Sequence, residues 1–558
     1  MSRSLRKHIK CFILRFWPLI IWILFTTGIF WKTYRNFKTK PQYYYLRNML
    51  GCWLCISRGT APVLTMCSLL VLLPVCRSLH TMLHGCLAKI SSRLLAAWLS
   101  KVKIMHTVCA TTLIIFSLIH TGAHIMNAIY FSKHYTDLYP DINLARYKGE
   151  NPALLICTWT GYSGIGMLIL LLLMTVTSVT KFRTKHFNTF YITHHLFVLY
   201  LLLLLTHPIS GILKEQYNVH QHIPGCIMPK NTTILEGNIP ESIKVHRNYC
   251  TQPPQFKCIP TKIWIWVVIA LLTYTIELGY RKYRGNPMEA IQACHVIQNA
   301  MHLRLKCSKH YSVDPGQYIL LQCDKISRVE WHPFTVTQCP RKEQLSFEVL
   351  ISVRGDWTKD LHTQIKLPFC FDACDSYISR FYHKPLTFLV DGPFASPMQA
   401  IKRSKYAICV AAGIGITSYV ATLRQMMITK SNIPKRLHLL WLTRDPKQLM
   451  WYAKLLNDLQ RKFWDDNQPD RFQVQLYVTK DYHENEVNNI FKNHSLRSRI
   501  HIGRPNWKKE FQIWNFLYKR NKVSLFCCGP NSLTNELRRR CLKASRKGNK
   551  YTLIHEGF

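Results

Sequence analysis

Six histidines lie in strongly apolar sequence: His106, His120 and His124 in IMHTVCATTLIIFSLIHTGAH, and His194, His195 and His207 in THHLFVLYLLLLLTH. Ionisable side chains are costly inside a bilayer and mark function there. His106 and His120 stand 14 residues apart. At about 100° and 1.5 Å per residue they return to within about 40° of one helix face, about 21 Å apart. His194 or His195 pairs with His207 at opposite ends of the second segment. This spacing leaves about 140° of rotation from His194 and about 120° from His195, so a bend or bulge is required. Two pairs on two helices suit two flat cofactors stacked across a membrane, each gripped by one imidazole from either helix. A single histidine would more simply bond a carbonyl or line a wet pocket; the paired spacing favours ligation.

A second set of chemical signals lies beyond residue 285. PGQYILLQC (315–323) reads as a turn and strand, WHPFTVTQC (331–339) as a strand opened by a proline, and RGDWT (354–358) follows. FLVDGPFASP (388–397) precedes YAICVAAGIGITSYVATL (406–423), where an apolar strand, a glycine turn at Gly413 and Gly415 and a helix form a phosphate-binding arrangement. Glycines there let backbone N–H groups approach a pyrophosphate at the helix N-terminus. WLTRD (441–445), FCCGPNSL (526–533) and the final EGF complete the series.

The elements that must position these groups fall into two halves. Within 558 residues, apolar runs of about bilayer-spanning length occupy 12–31, 52–76, 104–130, 155–179, 189–211 and 262–280. The first follows a basic start without a small-residue cleavage site and reads as a retained helix. Six spans put both termini on one side. Basic residues at the N-terminus, in the 77–103 connection, in KFRTK (181–185) and in RKYR (281–284) make that side cytoplasmic, against which the equally basic segment after the first helix counts. The 208–261 segment, with sequon Asn231-Thr232-Thr233 and Cys226, Cys250 and Cys258, suits the exterior. A second sequon, Asn493-His494-Ser495, would stay inside. Most of the 21 cysteines read as reduced, packed residues, and Cys52-x-x-Cys55 has no second pair for zinc. The +44 net charge comes without a nucleic-acid-binding module; anionic lipid and a multiply charged phosphate cofactor account for it. After residue 284, short β-rich runs and then alternating strand and helix patterns predict a small barrel followed by an α/β unit.

The two histidine pairs, with LLPVCR at 72–77 and the ordered PGQY, HPFT, RGDWT and DGPF motifs, make the chain resemble the NADPH oxidase family along nearly its whole length. The resemblance implies a six-helix transmembrane bis-haem domain (1–284) and a ferredoxin-reductase-like module. The latter comprises an antiparallel β-barrel FAD domain (285–388) and an α/β NADPH-binding domain (389–558). It selects His194 over His195 and makes His106, His120, His194 and His207 the haem ligands. It places Arg58 and His124 beside the outer haem, where oxygen is reduced. His332, Pro333, Phe334 and Thr335 would line the flavin. The family has a basic residue where Ser352 stands, near the flavin pyrophosphate, and Arg354 is a candidate substitute. Gly413, Gly415 and Thr417 would hold the dinucleotide, Arg444 the extra phosphate of NADPH, and Cys528, Gly529 and Pro530 the nicotinamide. Phe558 would stack over the flavin ring. Three positions depart from the pattern: Ala395 and Ala412 replace glycines and Ser418 replaces a proline.

WKTYRNFKTKPQYYYLRNMLG, NLARYKGENP and the outer loop with QHIPGC (221–226) most resemble the family's peroxide-releasing branch. That implies a Cys226–Cys250 disulfide and a proton-donating role for His222 in dismutating superoxide. It also implies a small membrane subunit as partner, beside oxygen and the lipid bilayer of the plasma membrane or endoplasmic reticulum. The competing functions are a ferric or cupric reductase, against which the long outer loop argues, and a degenerate haem-binding relative, which the three departures motivate.

Overall fold

The computed structural model describes the chain except residues 1–2, 227–251, 297–298, 329, 366–368, 371–385, 430–433, 481, 493–494, 520, 546–549 and 557–558; for 3–18, 87–97 and 369–370 it describes the backbone alone. Sequon Asn231, Cys250, the Asn493-His494 pair and Phe558 therefore lie outside the described residues. The chain divides into two compact units, Met1–Val75 with Lys103–Thr275, and Cys76–Val102 with Ile276–Phe558.

The first unit is helical. Its elements include α1 (Arg3–Thr39) and α2 (Cys52–Leu70). Among the described residues, five stretches are long and apolar enough to cross a membrane: Cys52–Val75, Val102–Lys133, Trp159–Ser178, Phe187–Ser210 and Ile263–Arg284. The expected first span, 12–31, lies within α1. One reading needs correction. The 77–103 segment, read as a connection, contains a 23-residue helix, α3 (Arg77–Leu99), which belongs to the second unit. Helices α4 (Val102–Lys133) and α5 (Trp159–Ser178) follow. The leucine-rich segment is interrupted: one short helix covers Phe187–His194, α6 covers Phe197–Thr206, and a tight 3-10 turn covers His207–Ser210. At the break, the His195 N–H reaches the carbonyls of both Tyr191 and Ile192. Tighter winding advances the rotation per residue, which supplies the irregularity that the spacing from His194 to His207 demands. The last long helix, α7 (Ile263–Arg284), ends on Arg281, Lys282 and Arg284.

The second unit contains a closed barrel. Strands β1 (Asn286–Val296), β2 (Ala300–Lys306), β3 (Tyr318–Gln322), β4 (His332–Gln338), β5 (Ser346–Ser352) and β6 (Thr387–Phe394) pair antiparallel in the circular order β2-β5-β4-β3-β6-β1 and back to β2. Strand β6 straddles residue 388. Leu303, Leu305, Ile319, Leu321, Phe347, Val349, Phe388 and Val390 fill the interior at period two. At Gly316 in PGQY, φ is +88° and an added Cβ would sit 2.9 Å from the Gln399 nitrogen; only glycine fits this turn.

A six-stranded parallel sheet follows, built from β7 (Tyr406–Ala412), β8 (Arg436–Thr443), β9 (Phe472–Val478), β10 (Ile500–Ile502), β11 (Lys522–Cys528) and β12 (Lys550–Glu556) in the order β10-β9-β8-β7-β11-β12. Both faces are covered, with Leu439 and Trp441 in one apolar cluster and Leu440 and Leu442 in the other, which explains the continuous hydrophobic runs of its strands. The chain reverses direction across the sheet between β7 and β11, and ligands of such sheets bind at the carboxyl ends of strands flanking that point.

Candidate functional site

In the helical unit, the His106 and His194 rings have centroids 6.1 Å apart, inclined at 58°. Two imidazoles bonded to one metal at about 2 Å on opposite sides place their centroids about 6 Å apart, so this pair fits an axial ligand set. His195 is exposed and packs on Tyr191. The four expected ligands share a further feature. His106 Nδ1 meets the Val71 carbonyl at 2.8 Å, His120 Nδ1 meets the Ser57 carbonyl at 3.0 Å and Thr60 Oγ1 at 2.8 Å, His194 Nδ1 meets Ser178 Oγ at 3.3 Å, and His207 Nδ1 meets Ser163 Oγ at 2.9 Å. Engaging Nδ1 fixes ring orientation and would leave Nε2 to a metal. Gly164 stands against His207, since an added Cβ would lie 3.4 Å from the ring. The supporting hydroxyls are not singled out by sequence, because serine and threonine are common in apolar helices.

His124 packs edge-on against His120 at 4.6 Å. Arg58 lies over the Phe37 ring at 5.2 Å, and its buried Nε has no partner among the described residues. A buried donor of this kind has room for an acceptor, whether water, an ion or a ligand. His222 is completely buried. Its Nε2 meets the Tyr45 hydroxyl at 2.5 Å and its Nδ1 meets the Gln252 carbonyl at 2.9 Å. Cys226 is disulfide-bonded; Cys250, its expected partner, lies outside the described residues.

In the barrel, β4 carries HPFT against β3, with Thr335 opposite Tyr318 and Phe334 opposite Ile319. Thr335 is buried, whereas His332, Pro333 and Phe334 are partly exposed, as a cofactor-lining strip should be. His332 and Phe334 both stack on Trp357 of RGDWT, with centroids at 4.4 and 5.9 Å. Trp357 is the second residue of the helix Asp356–Gln364, whose N-terminal N–H groups suit an anion. Ser352 ends β5, and Arg354 is exposed one residue before the Gly355 cap of that helix. Its side chain has no partner among the described residues, so Arg354 fits the task of the missing basic residue. Sequence reading passed over Asp391 of DGPF, which binds Arg281 at 2.7 Å and Arg284 at 2.7 Å. This clamp fastens the end of α7 to the barrel. A carboxylate within a buried strand and an upstream RKYR run were its only signals.

At the sheet reversal, Gly413 has φ +54° and its carbonyl accepts from Trp441 Nε1 at 3.0 Å. A Cβ on Gly415 would lie 2.4 Å from the Cys528 carbonyl oxygen, so the glycine turn and the CGP turn close on each other. Thr417 caps the Ile414 carbonyl at 2.9 Å at the start of α8 (Thr417–Ile428). Arg444, exposed at the end of β8, has no partner among the described residues and can reach a phosphate. Each departure from the family pattern is accommodated. Ala395 donates its N–H to Thr81 Oγ1 at 3.0 Å. Ala412 has ordinary extended backbone, and its methyl packs where Gly529 leaves room. Ser418 is bonded to Cys528 and to Glu556, a residue that sequence reading missed.

Three stretches match described families: residues 63–205 the "Ferric reductase like transmembrane component", residues 286–398 the "FAD-binding domain" and residues 405–542 the "Ferric reductase NAD binding domain". The chain is 35% identical over 568 residues to NADPH oxidase 4 of Mus musculus and 34% identical over 570 residues to NADPH oxidase 4 of Homo sapiens; each alignment covers 97% of both chains. NADPH oxidase 1 of Mus musculus is 26% identical over 560 residues, covering 94% of this chain and 90% of that one.

Proposed function

Because the chain belongs to the NADPH oxidase family, and is thus a multi-pass membrane oxidoreductase that uses NADPH and FAD to generate reactive oxygen species, we propose that four named histidines hold two haems. His106 and His194 hold the haem nearer the cytoplasm, and His120 and His207 the outer one. The observation behind this reading is the shared arrangement of the four rings, each with Nδ1 hydrogen-bonded. Flavin accepts a hydride and releases electrons singly, and haem iron carries one at a time.

The protein's own groups do the rest. Gly413, Gly415 and Thr417 bind the dinucleotide phosphates, Arg444 the additional phosphate, and Cys528 to Pro530 the nicotinamide. His332 to Thr335, with Arg354, would hold the flavin, and Phe558, which lies outside the described residues, would act with them. Arg58 and His124 receive oxygen at the outer haem. His222, fixed by Tyr45 within the disulfide-closed outer loop, supplies protons that turn superoxide into hydrogen peroxide. The six-span topology, with α1 as first span, puts both termini in the cytoplasm, in the plasma membrane or endoplasmic reticulum. A small membrane subunit packs against the helices.

The test is an optical spectrum of membranes containing the protein, with NADPH added under nitrogen and oxygen admitted afterwards. Haem reduction followed by rapid reoxidation is expected. Haem bands that dithionite reduces but NADPH does not would contradict the route from the dinucleotide site.

A further inference from the structure

Three side chains from three elements meet at the sheet reversal. Ser418 projects from the first turn of α8, Cys528 ends β11 and Glu556 ends β12. Ser418 Oγ lies 3.4 Å from Cys528 Sγ and 3.2 Å from Glu556 Oε2. Its hydroxyl has one proton to give, and a carboxylate is the stronger acceptor. Burial pushes the Cys528 thiol up, so the sulfur keeps its hydrogen and can donate to the serine oxygen. The order S–H to O–H to carboxylate satisfies all three groups, and each bond polarises the next.

From this geometry we infer that Ser418 is a positioning residue for hydride transfer, holding the Glu556 carboxylate ionised at the nicotinamide end of the site. Oxidation of the nicotinamide ring leaves it positively charged when the hydride departs to flavin, and a fixed carboxylate favours that charge. The inference rests on the reading that Cys528, Gly529 and Pro530 receive the nicotinamide. Burial pushes the Glu556 carboxyl up to about 7, while hydrogen bonds from Ser396 and Ser418 act in the opposite direction. The titratable groups facing it are Cys528 from β11, Tyr419 from α8 and Tyr318 from β3. Arg538 and Lys101 act on the neighbouring His555. Losing one of two donors to this carboxylate therefore favours its protonated form. A proline at this position could not make the bond.

The full-length protein can be titrated with NADP⁺ at a series of pH values, following the flavin absorbance, alongside anaerobic flavin reduction by NADPH. In wild type, NADP⁺ affinity should rise with pH through the neutral range. S418A should move that midpoint up by about one unit, equivalent to a tenfold loss of affinity between the two midpoints. It should slow flavin reduction in the same pH-dependent way. S418T should restore both, and E556Q should flatten the profile. An S418A profile superimposed on wild type overturns the role of Ser418. G415A, whose Cβ collides with the Cys528 carbonyl, tests the site itself. If G415A binds NADP⁺ normally, the nicotinamide reading fails; if it does not bind and S418A matches wild type, the site stands and the serine is idle.

Discussion

The Tyr45 hydroxyl oxygen lies 2.5 Å from Nε2 of His222, whose other nitrogen faces the Gln252 carbonyl at 2.9 Å. A carbonyl only accepts, so Nδ1 carries the ring proton and Tyr45 donates to Nε2. The imidazole is therefore held in one tautomer between a helix residue and the loop. Y45F should shift the product from hydrogen peroxide toward superoxide by about threefold, the effect of about one neutral hydrogen bond. H222Q should shift it further. Peroxide and superoxide measured separately on the same membranes give the ratio; an unchanged ratio in both variants would remove His222 from proton delivery.

H194A should lose about half of the dithionite-reduced haem absorbance, because one of two ligand pairs is broken, while H195A keeps it. Haem extracted per flavin reads this directly. Equal losses in both variants would contradict the assignment.

S163A removes the hydroxyl that orients His207. Loss of such a supporting partner weakens metal sites by about 10- to 100-fold. The expected outcome is faster haem loss to apomyoglobin from this variant than from wild type, with the other haem retained.

Glu348 on β5 is almost fully buried and ion-paired with His302, Arg304 and Arg424. Burial alone would push its pKa up, but the His302 bond and the arginine charges outweigh it and hold the carboxyl well below the usual range. A depressed carboxylate stabilises the fold above its unfolded-state pKa, and that contribution is lost as pH falls toward the folded value. R424A, which removes the pairing from α8, should cost about 3 kcal/mol or more, seen as a lower melting temperature at neutral pH. The difference from wild type should narrow on acidification.

R444A should raise the KM for NADPH by about tenfold or more, as expected for a lost charge-assisted bond, and leave the KM for NADH unchanged. Steady-state rates with both nucleotides test this.

The membrane histidines stand out in the sequence because bilayer cost makes polar residues conspicuous, and the barrel was legible because PGQY, HPFT and RGDWT punctuate short strands. The choice between His194 and His195 was not legible from spacing. It depends on the helix break at 195–196, which turns one ring toward His106 and leaves the other exposed. Helix α3 was obscured by its basic residues, which suit a connection as well as an exposed helix face. Glu556 and Asp391 were missed for a common reason. A lone carboxylate announces nothing until tertiary structure brings its partners from more than 100 residues away.

The order of the parts along the chain sets an order of competence during synthesis. All four proposed haem ligands have been made by residue 207, whereas β12, with Glu556, is the last described strand to leave the ribosome. A nascent chain can gather its metal centres while its supply of reducing equivalents is still switched off. On the proposed assignments, the strand carrying Glu556 is therefore added to the dinucleotide-binding sheet only after all four histidines have been made.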